Sequence, residues 1–194
     1  ERVLQFGFNH RLHPMFLAAK ARCEKGDLGR LLYLKGTYGK SGGLKYKENW
    51  RADRSLCGGG ILLDQGLHLL DLMRWYAGDL KLVHATVSDT YWHTGSEDNA
   101  FVLMSSSLGA MAFLHSSATL WKHTLELELG FAEGYIKLRG LLSKSGSYGR
   151  ERMVVGRRQF EDTAVAIGNP EEQVTYFDRD ESWEKEVGEF LLAI

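Results

Sequence analysis

Residues 58–71 read Gly-Gly-Gly-Ile-Leu-Leu-Asp-Gln-Gly-Leu-His-Leu-Leu-Asp, and they open a helix that we predict to run from the triple glycine to Ala77. At about 100° per residue, one narrow stripe of this helix carries four side chains: Asp64, His68, Asp71 and Trp75. Apolar residues fill almost all of the remaining surface, so we expect the helix to be buried. Since a buried carboxylate or imidazole is costly unless it is paired or functional, the stripe marks a candidate site.

Asp64 lies four residues before His68, a spacing at which the carboxylate can accept a hydrogen bond from one imidazole nitrogen. The other nitrogen would then face a substrate, which describes a general base held in one tautomer. Asp64 also lies near the positive end of the helix, which favours its ionised form. The glycines at 58–60 allow another backbone or a ligand to approach closely.

Two other interpretations of Asp64 and His68 have to be weighed against a general base. A histidine on an apolar helix is often a hydrogen-bonded structural residue rather than a catalyst. Asp64 and His68 also have the spacing of metal ligands, but no third ligand has suitable spacing, so we predict no metal site. His10 and His13 stand directly before Pro14, which begins a helix, and we interpret them as capping or packing residues.

Helices dominate the first part of the chain and strands the second. One helix is predicted from Pro14 to Gly26, and another from Glu181 to Ile194. Predicted strands, several linked as hairpins, are Val3–Phe8, Leu31–Tyr38, Val83–Ser88, Asn99–Ser106, Ala110–Thr119, Leu125–Leu129, Tyr135–Leu138, Met153–Val155 and Val174–Phe177. The predicted loops are 39–49, 143–150 and 161–172. This order predicts an α+β fold with a large, mostly antiparallel open β-sheet and helices packed on one face.

Composition narrows the class of protein. With 24 Lys and Arg against 25 Asp and Glu, the chain has no basic excess that would indicate a nucleic acid or an anionic membrane as partner. Cys23 and Cys57 form no disulfide framework and no zinc-ligand set, so we expect reduced thiols. No apolar run is long enough to span a bilayer and no secretory signal is visible, so we expect a cytoplasmic protein.

The segment 58–71 resembles the signature of the Gfo/Idh/MocA oxidoreductase family, which includes glucose-fructose oxidoreductase and inositol dehydrogenase. Further segments resemble it as well: Gly7-Phe8-Asn9 with Arg11 and Pro14, then Gly26-Asp27-Leu28-Gly29, then Asn49-Trp50-Arg51 and the final helix. The segments 140–155 and 157–170 match less well. The likeness therefore extends from the first residues through both hairpins and returns at the closing helix.

The resemblance implies a two-domain enzyme in which an N-terminal Rossmann domain binds NAD or NADP. Residues 1–9 would be the remnant of its last strand and linker, and residues 10–194 the domain for substrate binding and oligomerisation. His68 would accept the proton from a sugar, polyol or nucleotide-sugar CH–OH group, and Asp64 would orient it or touch the substrate. Trp50, Arg51, Asp71 and Arg11 would contact the substrate, and the sheet would support a homodimer or homotetramer.

The sequence departs from that family in what it lacks. It contains no G-x-G-x-x-G after a strand, so the nucleotide cradle is absent. It also contains no glutamate-lysine-proline triplet, so the lysine by which, on this resemblance, the Rossmann domain would complete the catalytic set is absent as well. We therefore expect this chain alone to be inactive. The loop with Lys40, Lys45 and Lys47 suits an anion such as a phosphate, or is a solvated loop. A non-catalytic module for dimerisation or sugar binding, with an idle Asp64 and His68, is the alternative function.

Overall fold

The structure is a computed structural model that describes residues 2–162 and 165–194. Among these residues, eight strands form one sheet: β1 (Leu31–Ser41), β2 (Leu80–Ser88), β3 (Asn99–Ser106), β4 (Met111–Ser117), β5 (Thr119–Phe131), β6 (Gly134–Arg139), β7 (Glu151–Arg157) and β8 (Glu172–Phe177). The helices are α1 (Pro14–Glu24), α2 (Arg54–Cys57), α3 (Leu67–Ala77) and α4 (Ser182–Leu192). A π-helical turn, Leu62–Gly66, runs directly into α3, and short 3₁₀ turns lie at 9–12, 46–48 and 50–52.

The strands lie in the order β2-β3-β4-β1-β5-β6-β7-β8. Every neighbouring pair is antiparallel except β1 and β4, which are parallel. The predicted hairpins form at 99–117 and 119–139, and the first turns at Gly109, whose φ of 86° suits a residue without a side chain. The predicted α+β class with a mostly antiparallel sheet is therefore confirmed.

Helices α1 and α3 cover one face of the sheet. Their fully buried side chains, Met15, Phe16, Leu69, Leu72 and Met73, join the inward residues of the strands in a single core. A Cβ on Gly36 of β1 would come within 2.7 Å of Met73, so α3 lies very close to the strand. The opposite face of the sheet is left open, and its central strands present the charged residues Lys35, Glu126, Glu128, Lys137 and Arg139.

Three expectations about these elements are wrong. The segment Val3–Phe8 forms no strand, because none of the described strands pairs with it. The loop expected from Gly39 begins only after Ser41, because β1 keeps pairing with β5 as far as Thr119. The long helix is not buried all round, since Leu63 and Leu67 are 43% and 37% exposed.

The described residues contain no helix with the length and apolar character needed to cross a membrane. Cys23 and Cys57 are both free thiols. The predicted loop at 161–172 includes residues 163 and 164, which lie outside the described residues.

Candidate active site

The loop between β2 and β3 holds the start of the helix that the π-helical turn and α3 form together. The Glu97 carboxylate accepts hydrogen bonds from the backbone N–H of Gly60 (2.9 Å) and of Leu62 (3.1 Å), and the Ile61 N–H donates to the Glu97 carbonyl at 3.0 Å. These bonds satisfy N–H groups that a helix start otherwise leaves unpaired. A Cβ on Gly60 would lie 2.1 Å from that carbonyl oxygen. The close backbone approach expected at the triple glycine is therefore present.

The supporting loop is itself anchored by a buried carboxylate. Asp98 accepts hydrogen bonds from the backbone N–H groups of Tyr91 (2.7 Å) and Trp92 (3.0 Å). Burial opposes the ionisation of Asp98, but these bonds and one from the Asn99 amide outweigh it and lower the pKa of the carboxyl group. The charged form of Asp98 therefore fixes the loop that carries Glu97.

Asp64 lies in the π-helical turn and pairs with cations from other elements. The Lys40 ammonium donates to it at 2.5 Å, and the Arg51 guanidinium lies 3.4 Å away. No hydrogen bond joins Asp64 to His68, so the expected carboxylate–imidazole pair is not formed in this structure. Asp64, which lies in the π-helical turn, is paired with Lys40 and Arg51 instead.

The buried Nδ1 of His68 has no hydrogen-bond partner among the described residues. The His68 ring stacks on that of His10, with centroids 4.2 Å apart and an angle of 19°, and the Phe8 ring packs against it edge-on at 5.8 Å. Burial lowers the pKa of His68, and the negative charges of Asp64 and Asp71 oppose that effect. The lowered pKa therefore favours the neutral form of the imidazole.

Asp71, one helical turn after His68, forms a bidentate ion pair with Arg11. The guanidinium Nε and Nη2 donate to the two carboxylate oxygens at 2.7 and 2.5 Å. Arg11 also lies over the Trp75 ring, 5.8 Å from its centre. All three residues line a cleft of about 660 Å³ beside segment 5–8 and α4. Arg11 and Asp71 thus satisfy each other in the structure.

The stripe faces three separate clefts. His68 opens into the largest, of about 870 Å³, whose other lining residues include His10, His13, Lys144, Asp180 and Trp183. Trp50, Arg51 and Asp64 line a cavity of about 210 Å³ with the glycines at 59 and 60, and Arg51 stacks on Trp50 at 4.4 Å. The structure therefore brings Trp50, Arg51 and Asp64 together, brings Arg11 and Asp71 together, and places His68 between these two groups along the helix.

Sequence reasoning misses the role of two residues in this site. It places Lys40 in a solvated or anion-binding loop, but Lys40 continues the two-residue period of Leu34, Gly36 and Tyr38 on the helix-covered side of β1. That period is the signal that could have placed it next to Asp64. Sequence reasoning also interprets His10 as a capping or packing residue, because its ring contact with His68 joins positions 58 residues apart and no local pattern reveals it.

Over residues 2–162 and 165–194, no group of three His, Cys, Asp or Glu side chains is arranged to hold a metal ion. What the helix does present is one neutral imidazole with a free nitrogen and one carboxylate neutralised by two cations. An imidazole of this kind can accept a proton from a hydroxyl group, and the carboxylate can accept a hydrogen bond from a polar ligand.

These features define an α+β domain with an open sheet and with a cluster of polar side chains along one covering helix. The family model described as the GFO/IDH/MocA C-terminal domain matches residues 16–137, well over half of the chain. The chain therefore belongs to the Gfo/Idh/MocA family, as its C-terminal domain.

The chain is similar to one curated protein and to two solved structures. The levoglucosan dehydrogenase of Pseudarthrobacter phenanthrenivorans is 35% identical over 88 residues, which are 44% of this chain and 23% of that protein. A solved levoglucosan dehydrogenase in complex with NADH and levoglucosan has a TM-score of 0.70 at 21% identity, covering 88% of this chain and 46% of the other. The solved aldose-aldose oxidoreductase from Caulobacter crescentus has a TM-score of 0.73 at 21% identity, and the match covers 99% of this chain and 54% of the other. This chain spans about half of the solved relatives and less of the curated one.

Proposed function

We propose that this chain is the substrate-binding and assembly domain of an NAD(P)-dependent oxidoreductase. Its substrate would be a sugar, polyol or nucleotide sugar that is oxidised at a CH–OH group. The observation that carries the proposal is the His68 imidazole, which lines a large cleft and whose buried Nδ1 has no hydrogen-bond partner among the described residues. Two relatives, whose names describe a levoglucosan dehydrogenase and an aldose-aldose oxidoreductase, support the substrate class.

A nicotinamide cofactor, when bound, supplies the acceptor for a hydride from the substrate carbon. The residues of this chain fit the other half of that reaction. As the hydride leaves, the hydroxyl oxygen loses its proton, and the neutral His68 imidazole is placed to accept it. The ring is not tied to a described neighbour through Nδ1, so no hydrogen bond at that atom has to break when the ring takes up the proton.

Asp64, Lys40 and Arg51 then serve to hold the substrate in register. The carboxylate has two cations against it, and all three groups can exchange hydrogen bonds with hydroxyl groups of a polyol. Trp50 offers an aromatic surface that is 54% exposed next to Arg51.

A second domain would complete the site by binding the nucleotide. Two features of this chain support that arrangement. Leu63 and Leu67 are exposed on the same helix as His68, where an apolar partner surface would cover them. Segment 2–8, which includes the exposed Leu4 and Phe6, runs beside the cleft that holds Arg11 and Asp71.

The alternative function is a non-catalytic sugar-binding or dimerisation module. One observation favours it: Asp64 is already satisfied by Lys40 and Arg51, as an inherited but idle carboxylate would be. The free nitrogen of His68 argues the other way, because an idle buried imidazole gains nothing from lacking a partner.

The deciding experiment joins this chain to a family nucleotide-binding domain and measures the reduction of NAD and NADP with a panel of sugars and polyols. His68→Gln removes the proton acceptor and keeps a polar side chain, so kcat should fall by about 10²- to 10⁴-fold. His93→Asn is the matched control, because His93 is an exposed histidine at φ 50° in the β2–β3 loop, and asparagine tolerates that conformation. Equal turnover of the His68 variant and the parent would leave the binding-module function as the better account.

A further inference from the structure

The ring on which His68 rests is held by an unbroken set of buried hydrogen bonds. His10 is 6% exposed. Its Nδ1 lies 3.2 Å from Oδ1 of Asn9, and its Nε2 lies 3.1 Å from the Tyr38 hydroxyl. Asn9 is fixed in turn, because its amide nitrogen donates to Oγ of the fully buried Ser182 at 3.1 Å. The chain of contacts therefore links α4, the 9–12 turn and β1.

These partners determine the protonation of His10. The amide oxygen of Asn9 can only accept, so Nδ1 of His10 must carry a hydrogen. Burial raises the pKa of Tyr38, so its hydroxyl keeps its proton and can donate it to Nε2. A nitrogen that accepts from Tyr38 has no proton of its own. The arrangement thus favours the neutral tautomer of His10 with hydrogen on Nδ1, in which the Tyr38 hydroxyl, which also neighbours Tyr148, donates to Nε2.

We propose that His10 is a positioning residue for His68: a permanently neutral imidazole whose flat face fixes the His68 ring while leaving His68 as the only one of the two that takes up a proton. This inference rests on the proposed function. Two stacked imidazoles compete for one proton, because a charge on either ring repels a charge on the other. Locking His10 in its neutral form directs the proton to His68.

Other charges around His68 do not duplicate this role. The titratable and charged side chains nearest to His68 come from four places. Its own helix carries Asp64 and Asp71, and segment 9–14 carries Arg11 and His13. Strand β1 carries Tyr38 and Lys40, and the far side of the cleft carries Lys144, Asp178 and Asp180. His13 is hydrogen-bonded to the buried Glu151 at 2.6 Å and makes a more distant ring contact with His10, at 5.7 Å. Burial, followed by the fields of His68 and His13, holds the pKa of His10 well below its usual value. Among the rings that the structure describes, His10 is the one that lies flat against His68.

Nitrogen NMR of histidine in this chain reads the tautomer directly. In the parent chain, His10 should show a protonated Nδ1 and a bare Nε2 throughout the pH range in which His68 titrates. Tyr38→Phe removes a single oxygen and frees Nε2, so His10 should take up a proton at higher pH, and the midpoint of His68 should move to lower pH. Tyr33→Phe is the matched control on the same strand, since that hydroxyl donates to Glu128 on the open face, and it should leave both midpoints unchanged.

A second measurement tests positioning and is made on the chain joined to a nucleotide-binding domain. His10→Ala removes the platform, and kcat/KM should fall by about 10- to 100-fold as the His68 ring loses its placement. His10→Phe keeps a flat, uncharged ring and should recover most of the loss. Retained cooperative thermal unfolding of each variant separates this effect from misfolding.

The proposal is overturned if His10 and His68 titrate together in the parent chain, or if Tyr38→Phe moves neither midpoint. Equal losses of kcat/KM in the alanine and phenylalanine variants would also overturn it. An absence of turnover in every form would count against the proposed function instead, and the NMR result on the pair of rings would still decide the tautomer and the coupling.

Discussion

At the residue scale, the site depends on which polar groups are satisfied and which are not. Asp64 has two cationic partners, Asp71 has one that binds it through both oxygens, and the buried Nδ1 of His68 has none among the described residues. Since buried polar groups are nearly always hydrogen-bonded, the exception is the most informative of the three. The proposed catalytic role of the helix therefore rests on a single imidazole.

The pH dependence of the joined enzyme should report that imidazole. His68 must be neutral to accept a proton, and its pKa is lowered mainly by burial. We expect kcat/KM in the oxidation direction to fall only when the pH drops below about 6.5, the ordinary value for histidine, and to stay level above it through neutral pH. The measurement is a kcat/KM profile that extends roughly two pH units on each side of that value. An acid limb with its midpoint above the ordinary value would contradict the burial of His68.

Removing the lysine beside Asp64 separates binding from stability. The Lys40 and Asp64 side chains are 24% and 32% exposed, so their ion pair is partly screened by water. We expect Lys40→Met to change the free energy of unfolding by less than about 1 kcal/mol, while KM for a polyol rises because Asp64 and the substrate lose a cationic partner. Urea unfolding and steady-state kinetics measure the two effects. Arg74→Met, which breaks the exposed pair with Asp79, is the control and should change neither quantity.

At the element scale, sequence periodicity predicts most strands and fails where tertiary contacts decide. The 99–117 hairpin is predictable, because two alternating segments flank a glycine turn. The parallel pairing of β1 with β4 is not, since it joins Tyr33 to Met111 across α3 and two further strands. The π-helical turn at 62–66 is equally invisible, because residue spacing alone does not show where a helix widens.

The seam between the helix start and the β2–β3 loop gives a sharp stability test. Gly60→Ala would place a methyl group 2.1 Å from the Glu97 carbonyl oxygen and 2.7 Å from its backbone nitrogen, so backbone atoms would have to move. We expect a loss of about 1–3 kcal/mol in the free energy of unfolding, measured in urea. Gly43→Ala is the control in a neighbouring loop, since no described atom lies within 4 Å of the place that its added methyl group would occupy. Equal stabilities for the two variants would show that the loop does not press against the helix.

At the scale of the whole molecule, the two halves of the open sheet face differ in character. Charges on β5 and β6 have partners within the chain: Arg139 lies 3.4 Å from Glu126, and Glu128 accepts a hydrogen bond from the Tyr33 hydroxyl of β1 at 2.6 Å. The half formed by β3 and β4 is aromatic, with Phe101 stacked on His115 at 4.2 Å and Phe113 beside it. Phe101 and Met111 are 40% and 42% exposed there. An exposed apolar patch of this kind is typical of a protein interface.

We therefore expect the chain to associate through the β3–β4 half of the open face, as the proposed assembly role requires. Phe101→Glu would place a charge opposite the partner's apolar surface, which is costly to desolvate, so analytical ultracentrifugation should show a shift toward the monomer. Leu108→Glu is the control, because Leu108 is 76% exposed in the turn between those strands and not on the face. A monomeric parent chain would remove the assembly role altogether. An oligomer that Phe101→Glu leaves intact would place the interface elsewhere, and the paired charges of β1, β5 and β6 would be the next surface to alter.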